Sequence, residues 1–100
     1  MRGDIRRFKM ILDLDIAKKF LRVDYIDDDD LILGFIKTAD ELCREITRLD
    51  DESFEESSET IRAAAMYVVS YLYDNRDMPN FGKLKLNLRA MLSGIRKGAF

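Results

Sequence analysis

The chain has no histidine and a single cysteine, Cys43. Without histidine it lacks the commonest general base of enzymes and the commonest zinc ligand of proteins. A single cysteine also excludes an internal disulfide bond. Hydrolytic triads and zinc sites are therefore effectively excluded, and an enzyme built from this chain would have to rely on carboxylates alone.

A long apolar stretch is missing as well. The longest nearly apolar run covers the 11 residues 63–73, interrupted by Ser70, whereas a membrane-spanning helix needs about 20. Residues 1–7 are charged and lack the apolar core of a signal peptide. We therefore expect a protein made in the cytoplasm, with no membrane segment. Its 100 residues and 47% apolar content fit one small globular domain.

Charge is unevenly distributed along the chain. The net charge is only −2, but residues 1–22 carry +4, residues 23–59 carry −11 and residues 60–100 carry +5. An acidic middle between two basic ends gives the protein two complementary surfaces.

Apolar spacing predicts an all-α protein, a small bundle of about four helices: a short one, a long one, a long buried one and a C-terminal one. We interpret residues 1–11 as a flexible basic N-terminal arm and residues 12–100 as a single helical domain. The first helix is predicted from an N-cap at Asp13 to near Val23. Its short apolar stripe consists of Ile16, Phe20 and Leu21.

Four consecutive aspartates, residues 27–30, allow three interpretations. A calcium loop needs acidic or amide groups at alternate positions and then a glycine, but Ile26 and Leu31 occupy such positions and no glycine follows in place. A disordered acidic tract is disfavoured because the run is short and lies between core-type residues. We favour a helix start, with Asp27 or Asp28 as the cap and the other carboxylates facing the positive end of the helix dipole.

A long second helix is predicted from this cap to about Arg48. Cys43 falls on its apolar stripe, which indicates a core cysteine rather than a reactive thiol. Asp40 and Arg44 fall on the polar face as an i, i+4 ion pair. The polar, acidic residues 49–58 are predicted to form a loop. The apolar stripe consists of Leu31, Ile32, Phe35, Ile36, Ala39, Leu42, Cys43 and Ile46.

The third helix is predicted over residues 59–75, with Ser57 or Ser58 as its cap. Residues 63–73 leave it almost no polar face, and a helix that is apolar all round is buried on several sides. One side packs on the core of the domain. The other side is covered either by another subunit or, within the chain, by the fourth helix and the N-terminal arm.

Pro79 indicates that the third helix ends before Met78, and residues 77–82 are predicted to form a turn. Residues 84–88 alternate like a strand, which suggests that the fourth helix starts late. Gly94 and Gly98 weaken the end of that helix. Its basic face consists of Lys83, Lys85, Arg89, Arg96 and Lys97.

Several sequence segments occur in an order that resembles a known family. They are LDIAKKFLRVD at residues 14–24, DDDLI at 28–32, IRAA at 61–64, YDNR at 73–76 and FG at 81–82. Together they resemble the small head–tail connector (adaptor) proteins of tailed double-stranded DNA phages, over about residues 12–97. The N-terminal arm is longer, and the acidic region at 50–58 shorter, than the family pattern.

The resemblance implies a structural virion protein without catalytic residues, cofactor or metal. Members of the family form a ring of roughly a dozen copies below the portal protein, a closed cyclic assembly. The ring extends the DNA channel, through which DNA passes without sequence-specific binding, and docks a neck or tail-completion protein. The implied location is the head–tail junction of the virion, with no membrane partner.

Such a ring needs two unlike surfaces that meet head to tail, and complementary charge helps to fix their register. We expect one surface at Met66, Tyr67, Tyr71, Lys85, Arg89, Arg96 and Lys97. The complementary acidic surface is expected at Asp27, Asp28, Asp50, Asp51, Glu52, Glu55 and Glu56.

Three other functions remain as alternatives. A small helical DNA-binding regulator would have to bind phosphates through residues 83–97, the only sufficiently basic segment. A carboxylate-based enzyme would hold a divalent metal at residues 27–30 or 50–56. A generic helical interaction adaptor, unrelated to phages, would share the fold and most of the surface.

Overall fold

The structure, a computed structural model, describes residues 11–95 and contains five α-helices and no strand within them. The predicted all-α bundle is confirmed. Most of the predicted N-terminal arm and the basic residues Arg96 and Lys97 lie outside the described residues. The helices are α1 (Leu14–Leu21), α2 (Asp29–Thr47), α3 (Asp51–Glu56), α4 (Ser58–Asp74) and α5 (Phe81–Met91).

The centre of the fold is the pair α2 and α4, which make the most extensive contact between any two helices. Helices α1 and α5 each pack against both members of this pair, and α3 packs against α4. The core lies where these helices meet. Its most deeply buried large side chains include Ile32, Ile36, Ile61, Val68, Val69, Leu84, Leu88 and Leu92.

Two helices end on an arginine in the left-handed position that glycine usually occupies, and the chain has only five glycines. Arg22 after α1 and Arg48 after α2 adopt the left-handed conformation, with φ of 62° and 59°. A non-glycine residue there costs about 1–2 kcal/mol. At Arg22 the turn is closed by the amide of Val23, which donates to the carbonyl of Lys18 at 3.0 Å.

The first helix begins as predicted but presents a different face to the core. The Asp13 carboxylate accepts a hydrogen bond from the Ile16 amide at 2.9 Å, which confirms the N-cap. The predicted stripe is wrong in part, since Ile16 and Phe20 are 42% and 56% exposed. Ala17 faces the core instead, because the half-buried Leu14 and Leu21 on its side of the helix pack against the bundle.

The prediction of a loop over residues 49–58 is wrong, because α3 forms within it. The Asp50 carboxylate caps this helix by accepting a hydrogen bond from the Ser53 amide at 2.8 Å. Phe54 anchors it, with only 2% of its surface exposed. One buried aromatic ring gives a two-turn helix enough apolar contact to hold it against α4.

The prediction that the C-terminal helix starts late is also wrong. Asn80 caps α5 by accepting a hydrogen bond from the Lys83 amide at 3.0 Å, so the helix begins at Phe81. The strand-like alternation reflects a helix that is buried on one side. Leu84 and Leu88, one turn apart, are fully buried, while Leu86 points the other way and is 64% exposed.

Candidate interaction surfaces

The first aspartate run is tied into the fold. Asp28 occupies the N-cap position of α2, but its carboxylate makes no capping bond. It accepts a hydrogen bond from the Tyr73 hydroxyl at 2.8 Å and one from the Tyr25 hydroxyl at 3.4 Å. Asp29 forms an ion pair with Lys18 of α1 at 2.6 Å. The run therefore joins the start of α2 to α1 and to the end of α4.

Tyr73 lies at the centre of this polar cluster. Its hydrogen bonds with Tyr25 and Asp28 raise the pKa of its hydroxyl above the ordinary value, because they stabilise the protonated form and the nearby Asp28 charge opposes ionisation. The Arg76 guanidinium lies 4.6 Å from the centre of the Tyr73 ring. Tyr73 thus links the two loops at this end of the bundle.

Arg44 connects α2 to α3. Its guanidinium donates to the Asp40 carboxylate at 3.0 Å and to Asp51 at 3.0 Å, and it lies 4.1 Å from the centre of the Phe54 ring. The predicted Asp40–Arg44 pair is confirmed, but Asp40 is only 8% exposed rather than on a polar surface. Its second oxygen accepts a hydrogen bond from the Ile11 amide at 3.2 Å, which satisfies the buried carboxylate.

The second acidic run, residues 50–56, differs from the run at residues 27–30 because most of its carboxylates face outward. Glu52, Glu55 and Glu56 are exposed on α3, and no basic residue occurs between positions 50 and 61. The seven predicted acidic residues do not form one surface. Asp27 and Asp28 precede α2, whereas the other five follow it, and the 19 residues of α2 span about 28 Å.

A shallow groove of about 530 Å³ follows the outer side of α4 and is open to solvent. Phe20 of α1 forms one wall, and Ala63 and Met66 lie along the helix itself. The lining is mainly apolar. It consists of Phe20, Glu59, Arg62, Ala63, Met66, Tyr67 and Ser70.

Tyr67 and Tyr71, which were predicted to meet other chains, are half-buried and contact α5 within the same chain. The Tyr67 hydroxyl accepts a hydrogen bond from the Asn87 side chain at 2.7 Å, and the Tyr71 hydroxyl accepts one from the Asn80 amide at 2.9 Å. Helix α5 therefore covers part of the apolar surface of α4. The strip at Ala63 and Met66 is left open by residues 11–95.

Three of the five residues of the predicted basic face, Lys83, Lys85 and Arg89, are on α5 among the described residues. Lys83 and Arg89 are exposed and Lys85 is half-buried, while Arg96 and Lys97 lie outside the described residues. Helix α5 contains no acidic residue. Leu86 lies between Lys83 and Arg89 on the outer side of the helix.

Cys43 is fully buried, as its place on the apolar stripe predicted. Burial, assisted by the charge of Asp40, raises the pKa of its thiol to about 12. Within residues 11–95 no group of three or more acidic, histidine or cysteine side chains is arranged to hold a metal ion. No helix in that part of the chain has the length and apolar character to cross a membrane.

Sequence reasoning missed Phe20 and Leu86 as surface residues. Phe20 was assigned from apolar spacing alone, which cannot tell an inward from an outward position in a helix as short as α1. Leu86 was considered only as part of the strand-like alternation of residues 84–88. The signal for Leu86 was available, since Lys83 and Arg89 lie three residues on either side of it. Cations on both sides indicate the solvent face of a helix.

Together, the all-α fold and the exposed apolar and charged surfaces fit a small interaction protein. Residues 11–81, from the start of the described chain to the first residue of α5, match the family model described as phage gp6-like head–tail connector protein. The chain belongs to this family, and its general role is that of a phage head–tail connector. Neither a curated protein nor a solved structure shows a significant match.

Proposed function

We propose that this connector forms a homo-oligomeric ring that binds the portal protein at the head–tail junction of the virion. The ring extends the DNA channel and docks a neck or tail-completion protein on its far side. The chain is made in the cytoplasm of the bacterial host before assembly. The match of residues 11–81 to the connector family is the observation that carries this proposal.

The surface of α4 supports association between copies. Ala63 is exposed and Met66 half-buried beside Phe20, so a continuous apolar strip faces solvent. Such strips on small proteins mark interaction sites when they lie among polar residues. Glu59 and Arg62 are the polar residues at one end of the α4 strip.

The distribution of charge supports a channel that does not bind DNA by sequence. The exposed cations of the described helices include Lys83 and Arg89 on α5, but α3 presents only carboxylates. DNA backbone binding depends on clustered cations and weakens steeply with salt. The net charge of −2 gives the protein little overall attraction for the DNA backbone, which supports free passage.

Ala63→Glu tests the proposed ring. The residue is exposed and glutamate is a good helix former, so stability should change by no more than about 0.5 kcal/mol. A charge in the groove should abolish oligomers seen by mass photometry at concentrations where the unmodified protein assembles, alone or on its portal. Tyr67→Asp is a poorer choice because it would also disturb the bond to Asn87.

Thr60→Glu is the matched control, since Thr60 is exposed on the same helix but does not line the groove. It should assemble normally. Equal assembly of both variants would show that the α4 groove is not used. Tight, salt-dependent binding of duplex DNA by the free protein would instead favour the DNA-binding regulator.

A further inference from the structure

Two unlike apolar surfaces of this chain are left open by residues 11–95. One is the α4 groove, which is concave and has Phe20 as a wall. The other is the outer ridge of α5, where Leu86 is 64% exposed. Leu86 shares this ridge with Lys83, Arg89 and Ala90, which lie three or four residues away and are also exposed.

We propose that the α5 ridge of one copy fills the α4 groove of the next copy, with Leu86 seated between Phe20 and Met66. This inference rests on the proposed ring and names the contact that builds it. A groove and a ridge on the same chain form a heterologous pair, and repeated heterologous contacts produce a ring when the rotation closes.

Dimensions support the pairing. The groove follows α4 from Glu59 to Ser70, a rise of about 16 Å. Helix α5 has 11 residues and is also about 16 Å long. Most of α5 therefore fits along the groove, whereas a single side chain would leave it largely empty.

Charge supports the same pairing. The α5 ridge carries Lys83 and Arg89, and the helix has no acidic residue. The groove begins at the exposed Glu59, three to four residues after the exposed carboxylates Glu55 and Glu56 at the end of α3. Arg62, the one cation in the groove lining, also donates to the Ile11 carbonyl at 3.4 Å. Attraction between the ridge cations and Glu59 at the end of the groove favours this partner and helps to fix its register.

Cross-linking between two chains that each carry one introduced cysteine tests the contact. One chain carries Ala63→Cys and the other Leu86→Cys, and the native Cys43 is silent because it is buried with a raised pKa. The chains are mixed under assembly conditions and treated with a mild oxidant. A disulfide requires Cα atoms no more than about 7 Å apart, so we expect a shift from the monomer band to a cross-linked dimer in the mixture.

Controls separate this contact from others. Leu86→Cys mixed with Glu45→Cys, an exposed position on α2, should give no dimer. If rings form but the Ala63→Cys and Leu86→Cys chains do not cross-link, this inference is wrong while the proposed ring still stands. Cross-linking of each chain only to itself would also overturn it, because that pattern reports a two-fold contact. Monomers under every condition, with and without portal, would overturn the proposed ring itself.

A last control asks whether the chain fills its own groove. Under conditions that keep the protein monomeric, the introduced thiol of the Ala63→Cys chain should react readily with a maleimide. Protection in the monomer that is lost when residues 1–10 are removed would overturn the inference. The groove would then belong to the N-terminal segment.

Discussion

Residues 27–30 and residues 50–56 are both rich in carboxylates, and they lie at opposite ends of α2. In the first run, Asp28 and Asp29 contact Tyr73 and Lys18 from other parts of the fold. In the second run, the buried ring of Phe54 holds the segment in place, and its glutamates face solvent. Asp28 and Asp29 thus hold the fold together at one end of α2, whereas the glutamates of α3 form an exposed surface at the other.

The difference shows that an acidic run takes its role from its neighbours. A carboxylate with a hydroxyl or an ammonium group within hydrogen-bonding distance becomes part of the fold. One without such a partner stays hydrated and is free to meet another molecule. Three variants of decreasing effect on stability, the last of them a double variant, can test this contrast.

Phe54→Ala should have the largest effect. The ring is 2% exposed and lies under Arg44, so its loss should reduce the free energy of unfolding by about 3 kcal/mol. Urea denaturation measures this change, and Glu55→Ala on the same helix should stay within about 0.5 kcal/mol. A loss below about 1 kcal/mol for Phe54→Ala would mean that α3 does not depend on its anchor.

Asp28→Ala should destabilise the protein clearly, but less than Phe54→Ala. The carboxylate makes no capping bond, so the loss should come mainly from the Tyr73 contact at 2.8 Å, with a smaller part from the Tyr25 contact at 3.4 Å. In a Tyr73→Phe background Asp28→Ala should therefore cost much less, as a double-mutant cycle would show. Asp27→Ala, at an exposed neighbour, should change stability by no more than about 0.5 kcal/mol.

The same contact has a pH signature. The pKa of the Tyr73 hydroxyl is raised in the folded state. Its hydrogen bonds therefore add to the free energy of unfolding at pH values below the unfolded pKa of about 10, and this stabilisation is lost as the pH rises above that value. The stability difference between the unmodified protein and Tyr73→Phe should shrink above about pH 10. An unchanged difference in that range would contradict the assigned hydrogen bonds.

The double variant Glu52→Gln and Glu56→Gln should have the smallest effect on folding, within about 0.5 kcal/mol. Both side chains are exposed, and we expect their charge to act between copies. Assembly measured by analytical ultracentrifugation at low salt should weaken. Glu41→Gln with Glu45→Gln removes the same charge from α2 and is the control. If both double variants weaken assembly equally, the effect comes from net charge alone and not from the position of the glutamates on α3.

Much of this fold follows from local patterns in the sequence. The long apolar stripe of α2 and the apolar run of α4 predicted both central helices to within a few residues. Helix α3 was not predictable in the same way, because it depends on one aromatic residue covered by Arg44 from another helix. The Asp28–Tyr73 bond joins residues 45 positions apart, and no spacing rule connects them.

The interaction surfaces were less predictable than the helices. The composition of α4 indicated surplus apolar surface, but only the position of α5 determines that Tyr67 and Tyr71 bond inside the chain while Ala63 stays exposed. The outward position of Leu86 follows from the early cap at Asn80, which sets the register of α5. Tertiary packing, rather than residue type, defines both surfaces.

Electron microscopy of the concentrated protein, alone and mixed with its portal protein, tests the central claim most directly. The account predicts closed rings of one uniform size, with α4 and α5 of adjacent copies in contact. Monomers in both samples, or open filaments of variable length, would contradict it.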